Sequence, residues 1–97
     1  MWTSLEMRWG GGGENPTVEQ LRAALAELST PDPEHPDTWL EDDAGWVVIV
    51  AEAGLVILAD KTGEICRRQG VTRDEALQLW LLLQEGRHDE IRHRLSA

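Results

Sequence analysis

Residues 38–60 read TWLEDDAGWVVIVAEAGLVILAD, three apolar-centred runs separated by Asp-Asp-Ala-Gly and Glu-Ala-Gly. Short runs rich in Val, Ile and Leu, bounded by Gly and Asp turn residues, are the pattern of strands joined by tight connections. The spacing therefore predicts a β-meander: TWLED, a turn at DDAG, WVVIVAE, a turn at EAG, and LVILAD. Val47–Val50 and Leu55–Leu58 are apolar at every position. A strand with one wet face alternates, so these two runs predict a hairpin covered on both sides. Helices would cover one side; Trp9, the N-terminal strand or another chain would cover the other.

Working outward, TSLEMRW (residues 3–9) alternates Leu5, Met7 and Trp9 with Ser4, Glu6 and Arg8, the period of a half-buried strand. Gly10–Gly13 interrupts it and reads as a flexible connection, since the Lys-Ser/Thr ending of a phosphate-cradling loop is missing. ENPTVEQLRAALAEL (14–28) predicts a helix, capped by Asn15 ahead of Pro16 or by Thr17 with Gln20 reaching back. Its apolar stripe is Val18, Leu21, Ala24, Leu25 and Leu28. Three prolines in STPDPEHPD (29–37) hold an extended loop. After LVILAD, DKTG makes a turn, and EICRRQ (64–69) reads as an edge strand whose Arg67 and Arg68 discourage further pairing. VTRDEALQLWLLLQEG (71–86) is a second helix, with Thr72 and Glu75 at capping-box spacing and Gly86 as its stop. Leu77, Trp80, Leu81 and Leu83 are its candidate core residues. RHDEIRHRL (87–95) adds a short last helix with Ile91 and Leu95 inward. The expected fold is one α+β domain over residues 1–97: an antiparallel sheet of about four to five strands carrying an N-terminal helix and one or two C-terminal helices.

Charge is the unusual property. The chain has 18 acidic and 9 basic side chains, for a formal net charge of −9. Residues 23–60 hold nine of the acids, Glu27, Asp32, Glu34, Asp37, Glu41, Asp42, Asp43, Glu52 and Asp60, and no Lys or Arg. Such a field repels nucleic acid and anionic membrane and attracts a basic partner. The single Cys66 has no internal disulfide partner, which fits a reducing compartment. The first residues lack the basic start and apolar core of a secretory signal, and no run reaches the roughly 20 apolar residues of a membrane span, so the cytoplasm is the expected location.

Residues with catalytic chemistry do not assemble into a known constellation. His88 and His93 are five apart, about 140° around a helix, which is not the i, i+4 pair of a zinc protease. Cys66 lacks an activating environment, and Glu41 with Asp43, on one side of a strand, have no partner base or metal. No catalytic residue, metal ligand or cofactor is expected, and an enzyme is the least favoured class.

Trp9, the NPT helix opening with LRAALAEL, TWLEDDAGWVVIV, GLVILAD and GVTRDEALQLWLLLQEGR, in that order, resemble the Imm1-type immunity proteins of bacterial polymorphic toxin systems, over residues 9–95. The resemblance implies an α+β protein that binds a cognate secreted toxin in the cytoplasm, a deaminase or another effector acting on nucleic acid or nucleotides, and covers its active site or substrate groove. The chain is expected to depart from that family in being short, with compact hairpins and no extended C-terminal tail. The charge reading points the same way: an acidic surface can occupy a basic substrate groove in place of phosphates, and tryptophan supplies holding energy at interfaces. The expected toxin-facing residues are Asp32, Glu34, Asp37, Trp39, Glu41, Asp42 and Asp43, and reversing Glu41, Asp42 and Asp43 to lysine is expected to slow association without unfolding. The alternatives are an acidic nucleic-acid mimic and a structural or adaptor subunit that buries its apolar hairpin by forming a homodimer.

Overall fold

The computed structural model describes residues 2–96. Their elements run β1 (Thr3–Glu6), β2 (Gly12–Glu14), α1 (Val18–Glu27), β3 (Asp37–Asp42), β4 (Val47–Ala51), β5 (Val56–Asp60), β6 (Gly63–Arg68), α2 (Arg73–Gln84) and α3 (His88–Ser96). The strands form one antiparallel sheet in the order β2-β1-β3-β4-β5-β6. This is the α+β architecture expected, with a sixth strand in addition.

That strand is β2, which comes from the glycine run read above as a flexible connection. Backbone groups pair whatever the side chain, and Gly12 and Gly13 stand opposite Glu6 and Leu5. Gly12 is needed there: a Cβ at this position would lie 2.0 Å from the Leu5 carbonyl oxygen, and its φ is +106°.

The two faces of the sheet differ completely. On one, Leu5, Leu40, Val48 and Leu58 stand directly opposite one another across β1, β3, β4 and β5, and all are at most 1% exposed. Thr3, Thr38, Val50 and Val56 share that face. The helices cover it with Leu21, Ala24, Leu25 and Leu28 near α1, Ala76, Leu77, Leu79, Trp80, Leu82 and Leu83 from α2, and Ile91 and Leu95 from α3. Each fully buried Leu, Val or Ile side chain contributes about 1.5–3 kcal/mol of hydrophobic stabilisation. Trp80 is the largest buried side chain, and its indole N–H donates to the Val48 carbonyl at 3.0 Å, so its one polar atom is satisfied.

Local chemistry sets the helix ends. Thr17 and Gln20 form the reciprocal capping box, which decides between the two caps considered for α1. Thr72 accepts from the Glu75 N–H at the start of α2. At its end Gly86 takes φ +72°, with Gly86 N–H donating to Leu83 and Arg87 N–H to Leu82, a Schellman stop. Val18 departs from its predicted place in the apolar stripe: it begins α1 and is 39% exposed. Leu81 is only partly buried against the core.

The N-terminal strand is shorter than its alternation suggested. It ends at Glu6, and a turn closed by Gly10 N–H to the Met7 carbonyl (3.0 Å) inverts the pattern beyond it. Arg8 is consequently buried, while Trp9 is 49% exposed. Trp9 therefore does not cover the second face of the hairpin, and neither does β1, which joins the sheet at the side of β3.

Truncating the core aromatic tests this packing. Trp80→Ala leaves a cavity and removes the indole N–H that donates to the Val48 carbonyl, and is expected to cost about 3–5 kcal/mol in urea unfolding, against a total of about 5–15 kcal/mol for a domain of this kind.

Candidate functional site

The second face of the sheet carries no helix. Opposite pairs place Glu6, Trp39, Ile49, Ile57 and Arg67 in one row across β1, β3, β4, β5 and β6. The neighbouring row runs Glu14, Ser4, Glu41, Val47, Ala59 and Glu64, and Asp37 stands opposite Ala51. Trp39, Val47, Ile49, Ile57 and Ala59 are half-buried, left so because the helices lie on the opposite side. A shallow hollow of about 510 Å³ opens here, lined by Asp37, Trp39, Glu41, Gly45, Val47, Ile49, Asp60 and Lys61. Within the described residues the doubly apolar hairpin is covered on one face only, and of the three covers expected for the other, Trp9 and the N-terminal strand are removed.

The seven residues expected to face a toxin do not form one cluster. Asp37, Trp39 and Glu41 share the open face. Asp42 points the other way, as its place one residue along a strand demands, and is 2% exposed. Its Oδ1 accepts from the Ala44 and Trp46 N–H groups at 3.0 and 2.9 Å, and its Oδ2 from His88 Nε2 at 2.6 Å. The His88 ring stacks on Trp46 with centroids 4.5 Å apart. Asp42 is therefore a brace joining the β3–β4 turn to the start of α3, and it leaves the set of surface acids. Asp43, the next residue, is exposed at that turn.

Asp32 and Glu34 lie in the proline loop beyond the other end of β3, a strand length of roughly 17 Å from Asp43 at about 3.3 Å per residue. The loop is rigidly held. Buried Arg8 donates to the carbonyls of Glu27, Thr30, Asp32 and His35 and to Glu52 Oε2 at 2.8 Å. Its guanidinium also lies 4.7 Å from the Trp9 ring centroid. The absence of Lys and Arg from residues 23–60 thus does not leave those acids alone: a cation enters from a distant segment. Asp32 accepts from the Trp9 indole N–H at 2.6 Å, and this bond above all lowers its pKa, with the Glu34 N–H and His35 assisting. Glu52 is lowered chiefly by its bond to Arg8 and then by the Asp32 N–H.

Several site residues escaped the sequence reading. Glu6 and Glu14 join the open face only because β1 pairs with β3 and β2 with β1; the alternation in TSLE was a usable signal for Glu6, but nothing local named its neighbour. Among the described residues no three His, Cys, Asp or Glu side chains gather as a metal ion would require, and no helix is long and apolar enough to cross a membrane. The cavity beside His88, lined by Gly86, Arg87, His88, Asp89, Glu90 and His93, holds neither hydroxyl nor thiol. Comparison with family models, with curated proteins and with solved structures finds no match to this chain.

Two outcomes check this geometry. Asp42→Lys is expected to cost about 3–5 kcal/mol by denaturant unfolding, because it removes a buried carboxylate from three donors, whereas Asp43→Lys at the exposed turn is expected to change stability by less than about 0.5 kcal/mol. Arg8→Met should lower Tm by about 10 °C. Its pH signature follows from Glu52: a carboxyl lowered in the folded state stabilises above its ordinary value near 4.5, and that stabilisation is lost as pH falls through the lowered value. The wild type should therefore lose stability on acidification below about pH 4.5 more steeply than Arg8→Met, as read by thermal melts across a pH series.

Proposed function

We propose that this chain is an immunity protein, which binds a cognate basic toxin domain and neutralises it by covering the active site or substrate groove with an acidic surface. The observation that carries the reading is the composition of one half of the open face. Glu6, Glu14, Asp37 and Glu41 surround half-buried Trp39, and β1, β2 and β3 contain no Lys or Arg. Surface carboxylates raise the rate at which a positively charged partner arrives, and a tryptophan beside them supplies contact area that water leaves on docking. Toxins acting on nucleic acid or nucleotides present a groove built for phosphate, and these carboxylates match its charge. The resemblance of the order of sequence features to Imm1-type immunity proteins points to the same class. So does the rigid seating of the proline loop by Arg8, since a preorganised surface loses less entropy on binding.

Affinity capture with the tagged chain from its native lysate tests the reading, with co-expression of each retained protein in a growth assay. One basic domain that arrests growth alone and is silenced by this chain is the expected result. Recovery of the chain alone would leave a self-associating subunit as the better account. With the captured domain in hand, Glu41→Lys combined with Asp43→Lys should slow association by about tenfold or more at low salt, and the difference should shrink at high salt. Stopped-flow fluorescence reads the rate, and an unchanged Tm would confirm that the variant remains folded.

A further inference from the structure

The open sheet face is left without a covering layer by the molecule's own helices. We infer that it is the docking surface for a protein partner that inserts an apolar side chain among Trp39, Val47, Ile49 and Ile57 and surrounds it with lysines or arginines. This deepens the immunity reading and rests on its premise that a basic partner exists.

The occupant follows from charge and chemistry. The centre of the face is apolar over three adjacent strands, and Trp39, Val47 and Ile49 line a hollow open enough to receive a side chain. Apolar groups held half-wet on a rigid sheet gain by burial in proportion to the area removed from water. The margin is asymmetric. On the β2-β1-β3 side stand Glu6, Glu14, Asp37 and Glu41, with no ion-pair partner among the described residues; on the β6 side Arg67 is already bound to Glu64 through both carboxylate oxygens.

A second copy is a poor fit to this pattern. Seated face to face by one two-fold axis, it sets the acidic margin against the same acidic margin. Seated by the other, it sets that margin against the neutralised Glu64–Arg67 pair, with Lys61 as the remaining cation. Like charges across the first contact cost several kcal/mol, and the second offers four carboxylates a single unpaired cation, so a copy of this chain is the weaker fit. A nucleic acid meets the same carboxylates with its phosphates. A basic protein surface with an apolar centre satisfies both parts of the face.

The test uses a defined probe: a short strand-forming peptide alternating lysine with isoleucine around one tryptophan, titrated into isotope-labelled full chain and followed by amide and indole NMR shifts. A peptide of equal charge with serine in place of every apolar residue is the control. The expected result is saturable shifts confined to Trp39, Val47, Ile49, Ile57 and their strand neighbours, no saturation with the control, and about tenfold weaker binding to Trp39→Ala or to Glu41→Gln. Glu41→Gln changes one exposed side chain, so it keeps the test alive if Trp39→Ala is unstable. Shifts centred on the helices or the proline loop, no saturable binding, equal binding of the control, or sedimentation as a dimer that Trp39→Ala dissolves would each overturn the inference. Failure of the immunity reading looks different: no toxin is captured while the peptide still maps to this face. A captured toxin whose affinity ignores Trp39→Ala and Glu41→Gln but falls with Asp32→Asn or Glu34→Gln would remove the face and leave the immunity reading standing.

Discussion

The pairing of β1 with β3 is the contact on which the rest of the structure depends. It joins residues more than thirty positions apart, Leu5 to Leu40 and Glu6 to Trp39, so its loop-closure cost must be met by what it buries. Leu5 extends the apolar row of β3, β4 and β5 by one strand, and Thr38 donates through its hydroxyl to the Glu6 carbonyl across the same seam. The strand then delivers Arg8 to the point where the proline loop turns, and one guanidinium donates to four carbonyls, that of Glu27 at the end of α1 and those of Thr30, Asp32 and His35 beyond it. The same pairing carries Glu6, and through β2 Glu14, to the side of Trp39 and Glu41. Core, loop and acidic margin are three consequences of one register.

A second consequence is the inequality of the faces. Three short helices have enough apolar surface for one side of a six-stranded sheet, and they close it to near-zero exposure. The other side keeps Val47, Ile49, Ile57 and Ala59 half-wet beneath a rim of carboxylates. Strands with one face meant for water alone alternate, which makes that face polar; retention of β-branched residues there is what makes the face informative about a partner.

The acids divide into three physical kinds that composition treats as one. Asp42 is internal, held by two backbone N–H groups and His88. Asp32 and Glu52 are structural, tied to Trp9 and Arg8 and lowered in pKa by those bonds. Glu6, Asp37, Glu41 and Asp43 have no ion-pair partner among the described residues and are placed to attract charge at a distance.

What the sequence determined by itself was local: the strands in residues 38–60 and 64–68, the cap at Thr72, the stop at Gly86, and the inward Leu21, Leu25, Trp80, Ile91 and Leu95, because each follows from spacing or from a single residue's chemistry. It also placed Asp37, Trp39 and Glu41 on one strand face, since period two needs no partner to be known. Only the tertiary structure decided that Gly12–Glu14 pairs as a strand, that Arg8 turns inward while Trp9 turns out, that Asp42 braces His88, and that the second face stays open. Each of those depends on which distant segment lies alongside, and a chain written in one dimension does not state its neighbours in three.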